Sequence, residues 1–176
     1  GKDIRKDNNG NYYVLVQRGK GGKFQPQLIL PQDVPVVLDT FKNKKEDDYI
    51  FTDVEMNNLI NLHGMRAQHA KECYYFYLKK LQDNPKFKLN LKNFLIERWE
   101  VGHQNLRDKS LKKFEKQKKN FINELRDEPY KIRGSNYKKA LNSALPTKYN
   151  RLALMAVSVF HLSHWRLSVT VTNYIL

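Results

Sequence analysis

Apolar and polar residues alternate in short runs at the start of the chain and recur at helical spacing afterwards. Ile4 is followed by residues 12–17, rich in β-branched and aromatic types, and by residues 24–30, which return apolar from Gln27 to Leu30. They are separated by the turn formers of residues 7–10 and by RGKGGK, which predicts three strands of a small antiparallel sheet. Pro31 ends the third run, and residues 34–41 follow with an apolar helical stripe, Asp33 at the N-cap and Pro35 in the first turn. Residues 52–55 match a capping box. His63, Arg66, Ala67, Ala70 and Tyr74 then recur every three or four positions, predicting a helix over about residues 62–81 with His63 and Arg66 on one face.

From about residue 79 to residue 139 the chain is lysine-rich and helical in pattern. Leu91, Phe94 and Leu95 fall on one face, as do Leu111, Phe114, Phe121, Ile122 and Leu125, with lysines between them. Gly102 and Pro129 break the region, and Trp99 reads as a core anchor. Residues 147–161 carry a further amphipathic stripe of Leu152, Met155, Ala156 and Val159. After Trp165 and Arg166 a turn is expected, with Ser168 or Thr170 capping a last helix that carries Tyr174. The expected fold class is therefore mainly α with a small antiparallel β-sheet (α+β), in one domain.

Charge adds the first hint of function. Lys and Arg total 32 against 18 Asp and Glu, a net charge of +14. Such a surplus, interleaved with aromatic residues, points to a polyanion: nucleic acid first, an anionic membrane surface second. No apolar run approaches the roughly 18 residues of a membrane span, and GKDIRKDNNG is not a signal peptide. The single cysteine, Cys73, excludes an internal disulfide framework and a cysteine-based zinc finger, and reads as a small buried hydrophobe in a reducing intracellular setting. His161 and His164 have a metal-compatible i, i+3 spacing, but no carboxylate or cysteine joins them locally, so no metal and no cofactor are expected.

Several cations sit where phosphate chemistry needs them. Arg18, Lys20 and Lys23 lie among glycines on the predicted hairpin tip. His63 and Arg66 share a helix face, where an arginine fork grips two oxygens and a histidine moves a proton. From spacing alone, the first group is an ordinary solvated turn and the second an ordinary helix face.

Taken in order, however, RGKGGKFQPQLIL, HGMRAQHA and VSVFHLSHWRLSVTVTNYIL resemble the tyrosine recombinases, or phage integrases, of integrative elements that carry an enlarged insertion. The resemblance implies site-specific DNA recombination or integration through a 3′-phosphotyrosyl intermediate, without metal or ATP. Tyr174 would be the nucleophile, Arg66 the phosphate clamp, His164 a second donor, His63 a proton carrier and Lys20 the acid for the leaving oxygen, with Lys23 a less favoured substitute. Arg18, Lys23, Arg166, Lys112 and Lys116 would contact DNA. The family's first arginine would precede GKDIR, so the chain is expected to be the C-terminal catalytic part of a longer protein, with residues 79–139 as the insertion. Ser163 stands where the family has glycine. The implied partner is double-stranded DNA, with self-association on it and no membrane, in the cytoplasm of a prokaryote or with a phage or mobile element. The alternatives are a non-catalytic basic DNA-binding module of the same fold and a type IB topoisomerase.

Overall fold

In a computed structural model describing residues 3–17, 24–45, 47–57 and 61–176, the first element is set by a turn. The carboxylate of Asp7 accepts N–H bonds from Asn9 at 2.9 Å and Asn11 at 2.8 Å, and Gly10 takes a φ of 85°. The hydrogen bond from the Asn11 side chain holds the Asp7 carboxyl below its ordinary pKa. This turn joins β1 (Ile4–Lys6) to β2 (Tyr12–Val16), with Ile4 opposite Val14, and β2 pairs antiparallel with β3 (Gln25–Leu28). β3 is an edge strand, so Pro26, opposite Leu15, removes no ladder bond that the sheet needs. Beyond β3, Ile29 N–H still donates to Tyr12 O at 2.8 Å, and Ile29 and Leu30 are buried.

α1 (Val34–Lys42) follows with Pro35 in its first turn, as its sequence predicts. Asp33 stands at its N-cap as expected, though with helical backbone angles and no side-chain capping bond, and the apolar face is only half-buried at Val34, Val37 and Phe41, while Val36 on the other side is 69% exposed. α2 (Asp53–Met56) is a single turn at the predicted capping box, and α3 (Leu62–Asp83) then runs the predicted course. The chain divides into two compact units, residues 1–66 and 67–176.

The second unit holds most of the buried residues. From α3 it buries Ala70, Cys73, Tyr74 and Tyr77, one stripe at three- and four-residue spacing. α4 (Pro85–Gly102) starts at Asn84, whose side chain accepts the Phe87 N–H at 3.0 Å, with Pro85 at the first helical position. After α5 (Gln104–Lys109), the Ser110 hydroxyl accepts from Lys113 N–H at 3.4 Å and opens α6 (Leu111–Glu124). Leu91, Leu95, Trp99, Phe114, Phe121 and Leu125 are buried, so the lysine-rich stretch contributes much of the core. Trp99 stacks on Phe121 with ring centroids 5.7 Å apart, in keeping with its reading as an anchor. Leu111 and Ile122 lie on the outer side of α6, because a stripe about 100° wide takes fewer residues than the apolar count offered, whereas Phe94, 44% exposed, still stacks on buried Phe160 with centroids 5.5 Å apart.

Two strands were not legible in that region. β4 (Tyr130–Lys131) follows Pro129, α7 (Gly134–Asn142) intervenes, and β5 (Lys148–Tyr149) returns antiparallel to β4. At two residues each they are too short to show alternation. α8 (Arg151–Val157) is capped by the Asn150 side chain, which accepts Ala153 N–H at 3.0 Å, while Asn150 N–H donates to Tyr74 Oη at 2.9 Å. Every residue from Arg151 to Leu162 is buried, so this helix is not amphipathic as its stripe suggested but central, covered on all sides. α9 (Leu167–Thr170) ends the set. The fold is mainly helical with a small antiparallel sheet, and among the described residues no single helix is long and apolar enough to cross a membrane.

Candidate functional site

The chemistry-bearing residues of the second unit are distributed by the way α8 ends. Its last turn widens into a π turn, Ser158–Leu162, and Ser163 then adopts a left-handed φ of 58°. His164 N–H donates to Ser158 O at 2.9 Å, and Arg166 N–H to Ser158 Oγ at 3.0 Å. His161 and His164 therefore do not share a helix face, as their spacing suggested. The wide turn sends His161 into the core and the left-handed residue sends His164 back toward the C-terminus. Ser163, where the resemblance has glycine, occupies the backbone region that glycine adopts without steric cost.

His164 meets Tyr174. Its Nε2 lies 3.1 Å from Tyr174 Oη, and the rings stack with centroids 5.5 Å apart. Tyr174 rides on a second π turn, Val171–Ile175, and is 9% exposed. The capping expectation for this end is corrected: Arg166 occupies the N-cap position and is exposed, Ser168 lies inside the helix, and Thr170 Oγ donates to Arg166 O at 3.0 Å. Thr170 bonds backward along the helix instead of starting it.

His63 and Arg66 are exposed in the first turns of α3, in the first unit, where Gly64 N–H donates to the Asn61 carbonyl oxygen Oδ1 at 2.8 Å. Arg18, Lys20 and Lys23 fall outside the described residues. Lys112 and Lys116 are exposed on the outer side of α6, together with Lys113 and Lys119. Lys118 is paired with Glu100 at 2.7 Å, and that hydrogen bond raises its pKa.

Two features had no local sequence signature. An open concavity of about 610 Å³ is lined by Arg126, Lys131, Arg133 and Arg151, with Glu128 among them. Arg151 is 8% exposed and lies over the Tyr130 ring; its Nη1 donates to Glu124 Oε2 at 2.6 Å, while its buried Nε has no hydrogen-bond partner among the described residues. The second is a buried cluster. His69 Nε2 lies 3.2 Å from His161 Nδ1 and 3.4 Å from Cys73 Sγ, and Tyr77 Oη lies 3.1 Å from His161 Nε2. Cys73 is buried as expected, yet within a polar constellation. Burial, helped by neighbouring His69, pushes the His161 pKa down to about 3, so the imidazole is neutral near pH 7. His69 and Cys73 are legible as an i, i+4 pair, but His161 lies 92 positions from His69 and only the fold brings it there. Compared with known proteins, the chain matches no family model, no curated protein and no solved structure.

Proposed function

We propose that the chain is the catalytic part of a site-specific DNA recombinase of the tyrosine type, acting on double-stranded DNA as a self-associated complex. The observation that supports this reading is the approach of His164 Nε2 to Tyr174 Oη, 3.1 Å. The resemblance makes Tyr174 the nucleophile and His164 a second phosphate donor, and the 3.1 Å approach adds a proton-accepting role for His164. In the step envisaged, the Tyr174 phenol oxygen bonds to the scissile phosphorus as its proton passes to His164. The 5′-oxygen departs with a proton, and the phosphodiester energy is retained in the phosphotyrosyl bond. Arg66 and His63 supply the clamp and the second proton carrier, Lys20 the acid, and the exposed lysines of α6 a backbone contact.

One observation favours a second reading, a basic DNA-binding module without cleavage: Tyr174 is only 9% exposed, which leaves little of it open to a phosphate. The two are separated by a nicked suicide substrate, offered to the longest protein that the coding sequence allows. A recombinase traps a covalent adduct, lost in Tyr174→Phe with DNA binding retained, and slowed about a hundredfold or more in His164→Ala. Tight binding with no adduct assigns the chain to the second reading.

A further inference from the structure

We propose that His69, Cys73 and His161 form a zinc site that ties the C-terminal segment to α3, independently of whether Tyr174 is a nucleophile. His69 and Cys73 stand one turn apart on one face of α3, and His161 comes from the π turn after α8. The facing atoms are 3.2 Å apart for the nitrogen pair and 3.4 Å for sulfur and His69 Nε2, with all three ligand atoms within 4.8 Å of one another. A tetrahedral zinc ion with bonds of about 2.0 Å to nitrogen and about 2.3 Å to sulfur sets its ligands about 3.3 to 3.6 Å apart, close to the two separations from His69, while the separation of Cys73 from His161 is bounded only at 4.8 Å and would close toward that range on binding. Two imidazoles and a thiolate are a ligand set that zinc favours, and a fourth position is left for water or another ligand.

His69 Nε2 is approached by both His161 Nδ1 and Cys73 Sγ. A cation set among the three atoms would be met by a lone pair from each. Tyr77, one turn beyond Cys73, has its hydroxyl 3.1 Å from His161 Nε2. By accepting the Nε2 proton it leaves Nδ1 as the lone-pair atom facing the cluster, the role of an outer partner that fixes a ligand's tautomer. On binding, the Cys73 thiol releases its proton to solvent and no redox change is needed. His69, partly exposed, offers an ion a route in, while Cys73 and His161 are buried.

The test titrates the chelator-treated full chain with zinc alone and then with cobalt(II) as a spectroscopic substitute. The expected result is one equivalent bound, a raised unfolding temperature, and a thiolate-to-cobalt charge-transfer band. Because the chain has one cysteine, that band reports Cys73 and nothing else. Cys73→Ala and His161→Gln should abolish the band or its tetrahedral pattern and weaken zinc binding by at least about a hundredfold. Folded wild type that takes up no zinc, or cobalt without a charge-transfer band, overturns the proposal. So does wild-type zinc affinity in Cys73→Ala. If the variants do not fold, the wild-type cobalt spectrum still decides.

Discussion

Acidification should destabilise the second unit through one buried imidazole. His161 is 4% exposed and is faced by His69, Cys73 and Tyr77, all from α3. Its pKa falls from 6.5 to about 3, mainly because burial penalises the cation. The unfolded chain takes up this proton near pH 6.5, whereas the folded chain does so only near pH 3. Between those values the unfolded state binds more protons, so stability is complete above about pH 6.5 and falls as pH falls, by about 1.4 kcal/mol per unit. From about pH 7.5 to about pH 5 the loss is about 2 kcal/mol, a large part of the roughly 5–15 kcal/mol of a typical domain. Urea unfolding at a series of pH values, with chelator present, gives the slope for wild type and for His161→Gln, which keeps a hydrogen-bonding side chain but does not titrate. Other ionisable groups contribute alike to both proteins, so the difference isolates His161. Parallel pH profiles would refute the assignment of a neutral, desolvated imidazole.

Ser163→Gly should stabilise the protein by about 0.5–1 kcal/mol in chemical denaturation, since relief of the left-handed backbone exceeds the added chain entropy; a decrease would mean the hydroxyl has a role of its own. Leu154→Ala, at a fully buried position in α8, should cost about 2–5 kcal/mol, whereas Val36→Ala on the exposed side of α1 should change stability by under about 0.5 kcal/mol. Equal effects at the two sites would contradict the burial described. Replacing Lys112, Lys113, Lys116 and Lys119 by glutamine should make log K for duplex DNA less steep against log salt, by roughly 0.9 for each phosphate that is no longer neutralised. An unchanged slope would remove α6 from the DNA surface.

By itself the sequence determined the local elements whose signals are local. Turn chemistry at Asp7 and Gly10, the β-branched run of residues 12–17 and the spacing of Ala67, Ala70 and Tyr74 act within a few residues and specify β2 and α3 almost to their observed ends, whereas the caps at Asn84 and Ser110 emerge only in the structure. The same holds for Trp99, whose size and apolar surface make burial the favoured outcome in most surroundings. The tertiary structure decided what depends on residues far apart. Whether α1 hides its stripe, whether α8 is one-sided or central, and whether Tyr130 pairs with Tyr149 are set by neighbours that spacing does not name. The π turns and the left-handed Ser163 arise where a buried helix must end against packed side chains, and they gave His161 and His164 different surroundings. Only that divergence placed one histidine against Tyr174 and the other against His69 and Tyr77, pairings that span 10, 92 and 84 positions of sequence.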